Sequence, residues 1–429
     1  MDMPSMDNHL QILREELVPA LGCTEPIAVA LAAAKARRTL GAFPQSLTAF
    51  CSGNIVKNVK AVTVPNSGGL RGIEAAAVLG AVGGDADAQL EVLAAVTPAD
   101  IQTTRRLLEQ EFCTTRLVDG VDKLYICVLA EGGGHKAAVT IEGHHTHVSQ
   151  VTLDGRCLYR DQTPAGGDVR RGDRSALTIA SILEFAGEAP LDQLRPILMR
   201  QVECNMAIAQ AGLENPYGAG VARALLDEPD PSVLTVARAR AAAASEARMS
   251  GCPLPVVINS GSGNQGITVS VPVAAYAAAK GVGEERMLRA LAVSNLVSIH
   301  LKYYIGDLSA FCGAVTASCG VGAALAWLDG GGYEAVADTI TNTLAAVSGI
   351  FCDGAKPSCA AKISAALDAA FTSYHMAMGH RAFRPGEGVV GGDVEQTIRS
   401  VGLIGREGME VADKEILQVM MHPGAEMFP

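Results

Sequence analysis

The chain has 429 residues, of which 49% are apolar and 18% charged, with a formal net charge of −11. That composition excludes a disordered chain and supplies enough apolar surface for two or three domains with sizeable cores. No basic stripe offsets the acidic balance and aromatic residues are scarce, so neither nucleic acid nor an anionic membrane is an expected partner.

The first twenty residues are acidic and amphipathic, without the charged start and apolar run of a signal peptide. Lys35 cuts short the apolar run after Pro26, so no stretch reaches the roughly 20 residues that a membrane span needs. A cytoplasmic chain is expected. Its eleven cysteines then belong to a reducing compartment, where most act as small buried hydrophobes and a few react or bind metal.

In chain order, residues 6–21 read as a short helix, and Glu25-Pro26 opens a second through Leu40, because proline is tolerated in a first helical turn. From Leu47 to about Tyr159 the β-rich runs LTAFCSG, KAVTVP, LEVLAAV, KLYICVLAE, AAVTIEG and HVSQVTLDG alternate with helical stretches at 72–82 and 98–112. The polar, Gly-rich segment 163–175 reads as a linker. Beyond it, periodicity predicts helices at 175–186, 190–212, 217–227, 231–250, 272–280, 284–301, 308–328, 332–350, 358–379, 393–405 and 411–421. One strand-like run, 253–259, leads into a Gly-rich turn.

The expected fold is α+β. A large all-α C-terminal domain (170–429) carries the candidate metal site. A smaller α+β domain (46–165) is inserted after N-terminal helices (1–45) that pack on the C-terminal domain.

Three thiols dominate the chemistry. Cys352 lies in a Gly-containing loop, Cys359 in the first turn of the next helix, and Cys312 near the start of its own Ala-rich helix. Three thiolates suit a cubane cluster with one iron left free of protein thiolate, able to act as a Lewis acid. The competing reading is packing, since Cys312 and Cys319 are seven apart and share a helix face. No CxxC pair supports a zinc ribbon or thioredoxin-like site.

Cys23 precedes a helix N-terminus, where the macrodipole favours thiolate and a downward-shifted thiol could serve as a base. A buried cap-proximal cysteine is the plainer alternative. Gly261-Ser262-Gly263-Asn264-Gln265-Gly266 has the dinucleotide-binding spacing, but Pro272 and its β-branched neighbours are expected to delay any helix. A turn whose backbone N–H groups hold a substrate carboxylate fits better, and Asn66, Ser67 and Gly68 could do the same. That second loop echoes Asn259, Ser260 and Gly261. Among His135, His144, His145 and His147, the pair His145 and His147 share a strand face, which could suit a metal but is read chiefly as a solvated edge. His300 and Lys302 are candidate acid–base or carboxylate-binding groups.

Taken together, Gly22-Cys23-Thr24-Glu25-Pro26, residues 54–69, residues 259–267, the three cysteines and the ending GMEVADKEIL resemble the UPF0597 family. That family includes the L-cysteine desulfidases and is related to the α chain of iron–sulfur L-serine dehydratases. The resemblance spans about residues 10–421. It implies that Cys23 accepts the α-proton, and that Cys312, Cys352 and Cys359 bind a [4Fe–4S] cluster. No ligand role falls on Cys319. Asn66, Ser67, Gly68, Asn259, Ser260, Gly261 and Asn264 are the expected carboxylate-binding residues.

The implied activity is conversion of L-cysteine and water to pyruvate, ammonia and sulfide, without pyridoxal phosphate. L-serine dehydration by the same chemistry, a cluster-binding sensor without turnover, and an all-α scaffold with buried thiols are the alternatives. The segments typical of the serine enzyme's separate domain are not evident, which favours cysteine. A homodimer is compatible with this composition.

Overall fold

Helix Thr24–Leu40 is the element around which the N-terminal part is built. It starts at Cys23 and ends at Gly41, whose left-handed φ of 74° lets its N–H close on the carbonyls of Arg37 and Arg38. Its Ala-rich body is buried, and alanine loses no side-chain entropy on burial. Helix Ile73–Gly83 crosses it so closely that a Cβ at Gly80 would lie 2.3 Å from the Ala30 carbonyl oxygen. The computed structural model describes residues 1–161, 172–306 and 309–421. Most of the expected linker, 163–171, lies outside the described residues.

The strands are β1 (Pro19–Leu21), β2 (Ser46–Cys51), β3 (Cys113–Leu117), β4 (Tyr125–Gly132), β5 (His135–Glu142), β6 (Val148–Leu153), β7 (Arg156–Arg160) and β8 (Pro255–Val257). Six of them form a sheet in the order β3-β2-β4-β5-β6-β7, antiparallel except for the β2–β3 pair. β4 alternates buried and half-buried residues along its length, and helix Thr24–Leu40 packs on the β4–β6 face. β1 pairs instead with β8, Pro19 opposite Val257, which ties the start of the chain to the helical part.

In that part, helix Gly313–Leu328 packs against Gly263–Ala279, Glu284–Ile305, Tyr333–Val347 and Cys359–Met378. Glycines allow the close approaches: a Cβ at Gly320 would lie 2.2 Å from the Ser294 carbonyl oxygen, and one at Gly266 2.0 Å from that of Val257. The molecule is mixed α and β, with its sheet towards the N-terminus and helices beyond, as expected. Among the described residues no helix is long and apolar enough to cross a membrane.

Besides residues 19–21, which form β1 rather than the end of the expected helix 6–21, three local expectations fail. KAVTVP forms no strand; Val64 N–H bonds to the Leu70 carbonyl, so the run is one arm of a turn around Asn66–Gly69. LEVLAAV contains only a 3-10 turn, Gln89–Glu91, and its apolar residues Leu90, Val92 and Leu93 are buried in the core. The third is at Pro272, which lies inside helix Gly263–Ala279 rather than before it. Burial of this helix overrides the local preference. Ser294 Oγ donates at 2.7 Å to the Val269 carbonyl in the turn that Pro272 disturbs.

Candidate active site

Three of the four selected cysteines stand at helix N-termini. Cys23 caps Thr24–Leu40, Cys312 caps Gly313–Leu328, and Cys359 is the first residue of Cys359–Met378. Cys352 is brought to Cys312 by a short antiparallel bridge between Phe311 and Phe351. Cys312 N–H donates to the Ile350 carbonyl at 3.0 Å, and Cys352 N–H donates to that of Ala310 at 2.5 Å. The loop from Cys352 to Cys359 is folded by Asp353, which pairs with both Lys356 and Lys362. Gly354 has φ +89°, and a Cβ there would lie 2.4 Å from the Lys57 carbonyl oxygen, so the loop rests on helix Gly53–Val59.

Burial, then Cys352 and Cys359, push the Cys312 thiol up to about 12. Burial also raises Cys359, with Cys352 adding to it and Lys356 and Lys362 opposing. Lys356 and Lys362 stand beside these thiols and offset negative charge there. Among the described residues no three His, Cys, Asp or Glu side chains gather tightly enough for a single metal ion. A cubane asks for something different, one thiolate on each of three separate irons. Thiols on two helix starts and the loop between them, joined by the Phe311–Phe351 bridge, are the donor type that such a cluster takes. Cys319 is fully buried in the middle of its helix and keeps the packing role.

Cys23 is 2% exposed, and its Sγ donates to Glu25 Oε2 at 3.0 Å. Glu25 Oε1 accepts from Asn58 Nδ2 at 3.0 Å, and His145 Nε2 lies 4.0 Å from the same oxygen. The Thr24 hydroxyl donates to either Glu25 Oε2 or the Gly261 carbonyl, each 3.1 Å away. Burial and then Glu25 raise the Cys23 thiol well above its ordinary range, with Arg248 opposing. This overturns the expected downward shift: desolvation and a neighbouring carboxylate outweigh the helix dipole. Burial alone would raise Glu25 too, but His145, the Cys23 S–H and Arg248 together hold its carboxyl below the usual range.

Glu25 and His145 open onto a cavity of about 440 Å³, whose wall also includes Glu15, Ser260, Gly261 and Gln265. Gln265 reaches the Cys312 helix, where its Oε1 accepts from Thr316 Oγ1 at 3.2 Å, and a Cβ on Gly313 would strike its amide. Glu25 and Gln265 thus connect the cavity wall to the Cys23 and Cys312 helices, although neither cysteine lines it. A smaller recess of about 160 Å³ shares Glu16 and Ser260 and adds Arg174 and Lys302.

The expected carboxylate-binding residues divide. Ser260, at φ 48°, and Gly261 line the cavity at the start of helix Gly263–Ala279, where the macrodipole favours an anion. Asn259 is buried beneath them, bonded to Asn295 Oδ1 at 3.0 Å. Asn264 accepts from Arg248 at 3.1 Å, and that arginine also donates to the Gly22 carbonyl at 2.9 Å. Asn66, Ser67 and Gly68 are spent on their own loop: the Asn66 amide donates to the Leu93 carbonyl, Ser67 to that of Leu70, and the Gly68 carbonyl accepts from Arg105. None of these three lines the cavity.

The histidines are corrected as well. His144–His147 form the turn between β5 and β6 rather than a solvated strand edge, and His145 is largely buried against Glu25. His147 bonds to Asp161 and exposed His135 to Asp154. His300 bonds to Glu395 at 2.8 Å, away from the cavity. Sequence reasoning passed over Glu25, Arg248 and Gln265. For Glu25 the signal was its place two residues after Cys23, inside the first turn of the same helix.

A family model described as "Serine dehydratase alpha chain" matches residues 87–418. A UPF0597 protein of Lachnoclostridium phytofermentans is 48% identical over 413 residues, covering 96% of this chain and 99% of that protein. Another, from Desulfitobacterium hafniense, is 47% identical over 96% of each chain. A third, from Treponema denticola, is 44% identical over 98% of this chain and 99% of its own. The chain belongs to the UPF0597 family. Cys312, Cys352 and Cys359 of this UPF0597 chain fall within the serine dehydratase α-chain match, which begins after Cys23 and Glu25. The match marks a serine dehydratase-like family member of lyase type.

Proposed function

We propose that this UPF0597 chain is a [4Fe–4S]-dependent carbon–sulfur lyase that converts L-cysteine and water to pyruvate, ammonia and sulfide. The observation that carries the reading is that Cys23 lies in a buried cluster with Val62 and Met249 against which Ala355 and Cys359 of the cysteine-bearing loop pack, while the Phe311–Phe351 bridge joins that loop to the Cys312 helix start. Cys312, Cys352 and Cys359 would hold the cluster. When bound, it supplies an iron free of protein thiolate, a Lewis acid for the leaving β-substituent.

The chain's own residues supply the rest. The helix start at Ser260 and Gly261 offers the substrate carboxylate a positive dipole end. Cys23, once deprotonated, removes the Cα proton, and its raised affinity for protons makes it a strong base. The electron pair left on Cα forms the double bond as the β-substituent departs. Aminoacrylate then tautomerises and hydrolyses to pyruvate and ammonia. The serine dehydratase match favours a second reading, the same elimination with the hydroxyl of L-serine as leaving group.

The test is anaerobic reconstitution with iron and sulfide, followed by assay of sulfide and pyruvate from L-cysteine beside pyruvate from L-serine. Cys352→Ala is expected to lose iron, whereas Cys23→Ala keeps iron and loses turnover. Full activity in Cys23→Ala would refute the base assignment.

A further inference from the structure

We propose that Glu25 is the proton-transfer residue that unloads and reloads Cys23, linking a buried thiol to the cavity beside it. The inference rests on the reading of Cys23 as the base. A base buried to 2% exposure cannot turn over unless its proton has a way out. Its S–H is aimed at Glu25 Oε2, 3.0 Å away, and Glu25, unlike Cys23, lines the cavity. Asn58 holds the other carboxylate oxygen at 3.0 Å, which fixes Oε2 towards the sulfur.

The protons and electrons balance over one cycle. The S–H bond of Cys23 breaks and an O–H bond forms on Glu25. The thiolate then takes the Cα proton, so that the Cα–H electron pair becomes the Cα–Cβ double bond and the Cβ–substituent pair leaves with the substituent. The departing sulfide takes the proton from Glu25. Thiol and carboxylate are both restored, and the thiol now carries the substrate's former α-hydrogen.

The charged and titratable groups facing Glu25 are Cys23 at its own helix cap, His145 from the β5–β6 turn and Arg248 from helix Val233–Met249. Glu15, Glu16, His144 and His147 share the cavity wall. His145 and Arg248 keep the carboxylate ionised, hence able to accept, while burial keeps the resting proton on sulfur.

The decisive probe is L-alanine, which has an α-hydrogen but no leaving group. Iron-loaded protein in D₂O is expected to exchange that hydrogen, read by proton NMR. Glu25→Gln should lower exchange and turnover at least a hundredfold with iron content and cluster absorbance unchanged, and Glu25→Asp should recover part of both. His145→Gln should move the acid limb of the turnover pH profile upward, because the carboxylate loses a neighbour that keeps it ionised. A folded, iron-loaded Glu25→Gln exchanging L-alanine within threefold of wild type overturns the proposal, as does an unmoved acid limb in His145→Gln. Should Glu25→Gln fail to fold, the His145→Gln profile decides. Retained exchange in Cys23→Ala sinks the base assignment itself. Loss there with full exchange in Glu25→Gln sinks the relay alone.

Discussion

Lys57 pairs with Asp413 through its side chain and supports Gly354 through its carbonyl oxygen. One buried lysine therefore connects the C-terminal helix Glu410–Met421 to the loop that carries Cys352 and Cys359. Lys60 adds a bond to the Met420 carbonyl at 2.5 Å, and Leu417 packs against Gly53. The motifs NIVKNVK and GMEVADKEIL, whose Lys57 and Asp413 are 356 residues apart, are parts of one contact.

Asp413→Ala leaves the Lys57 ammonium buried without its partner. A loss of about 3–5 kcal/mol is expected, the scale for breaking a buried ion pair from one side. Lys57→Met combined with Asp413→Leu should lose much less. Urea unfolding of the three proteins checks this, with iron retention as a second readout of the loop.

Gly354→Ala places a side chain at φ +89° and drives its Cβ towards the Lys57 carbonyl. The strain of a left-handed non-glycine residue costs about 1–3 kcal/mol, and the contact adds to it. The loop should respond by shifting, so the variant is expected to bind less iron at equal protein concentration. Unchanged iron stoichiometry would mean that the Cys352–Cys359 loop does not need this close approach.

Cys319 and Cys312 lie on one helix but have different surroundings. Cys319→Ala removes a fully buried sulfur and should cost about 1 kcal/mol, the scale of one small buried group, without changing iron content. Cys312→Ala should reduce iron content sharply. Iron loss in the Cys319 variant would add that residue to the ligand set.

Glu395 accepts from His300 Nε2 at 2.8 Å and from Ile179 N–H at 2.7 Å. Burial raises its carboxyl, but these bonds outweigh burial and hold it below the ordinary range. A depressed folded-state carboxyl stabilises the protein above the unfolded value, and that stabilisation is lost as pH falls through the folded one. The stability deficit of Glu395→Gln should therefore be full at neutral pH and shrink below about pH 4.5. Urea midpoints at pH 7 and pH 4 measure it.

Short windows of sequence were enough for the parts of this protein that depend on local preference. Pro26 in a first turn marked the helix beginning after Cys23, small residues marked the closely packed helical part, and alternation marked β4 and β5. The same windows misread residues 60–65 and 90–96, where apolar residues are buried in turns rather than strands, and Pro272, where packing carries a helix through a proline.

By itself the sequence determined the family and the α+β class and singled out four cysteines through the family resemblance, because motifs, glycines and helix starts are carried in residue type and spacing. Only the tertiary structure decided which groups face them. His145 reaches Glu25 from 120 positions away, and Arg248 takes up Asn264, a residue expected to bind substrate. Those pairings arise when elements bury one another's surfaces and each buried polar group must find a partner, and no local pattern encodes that partner.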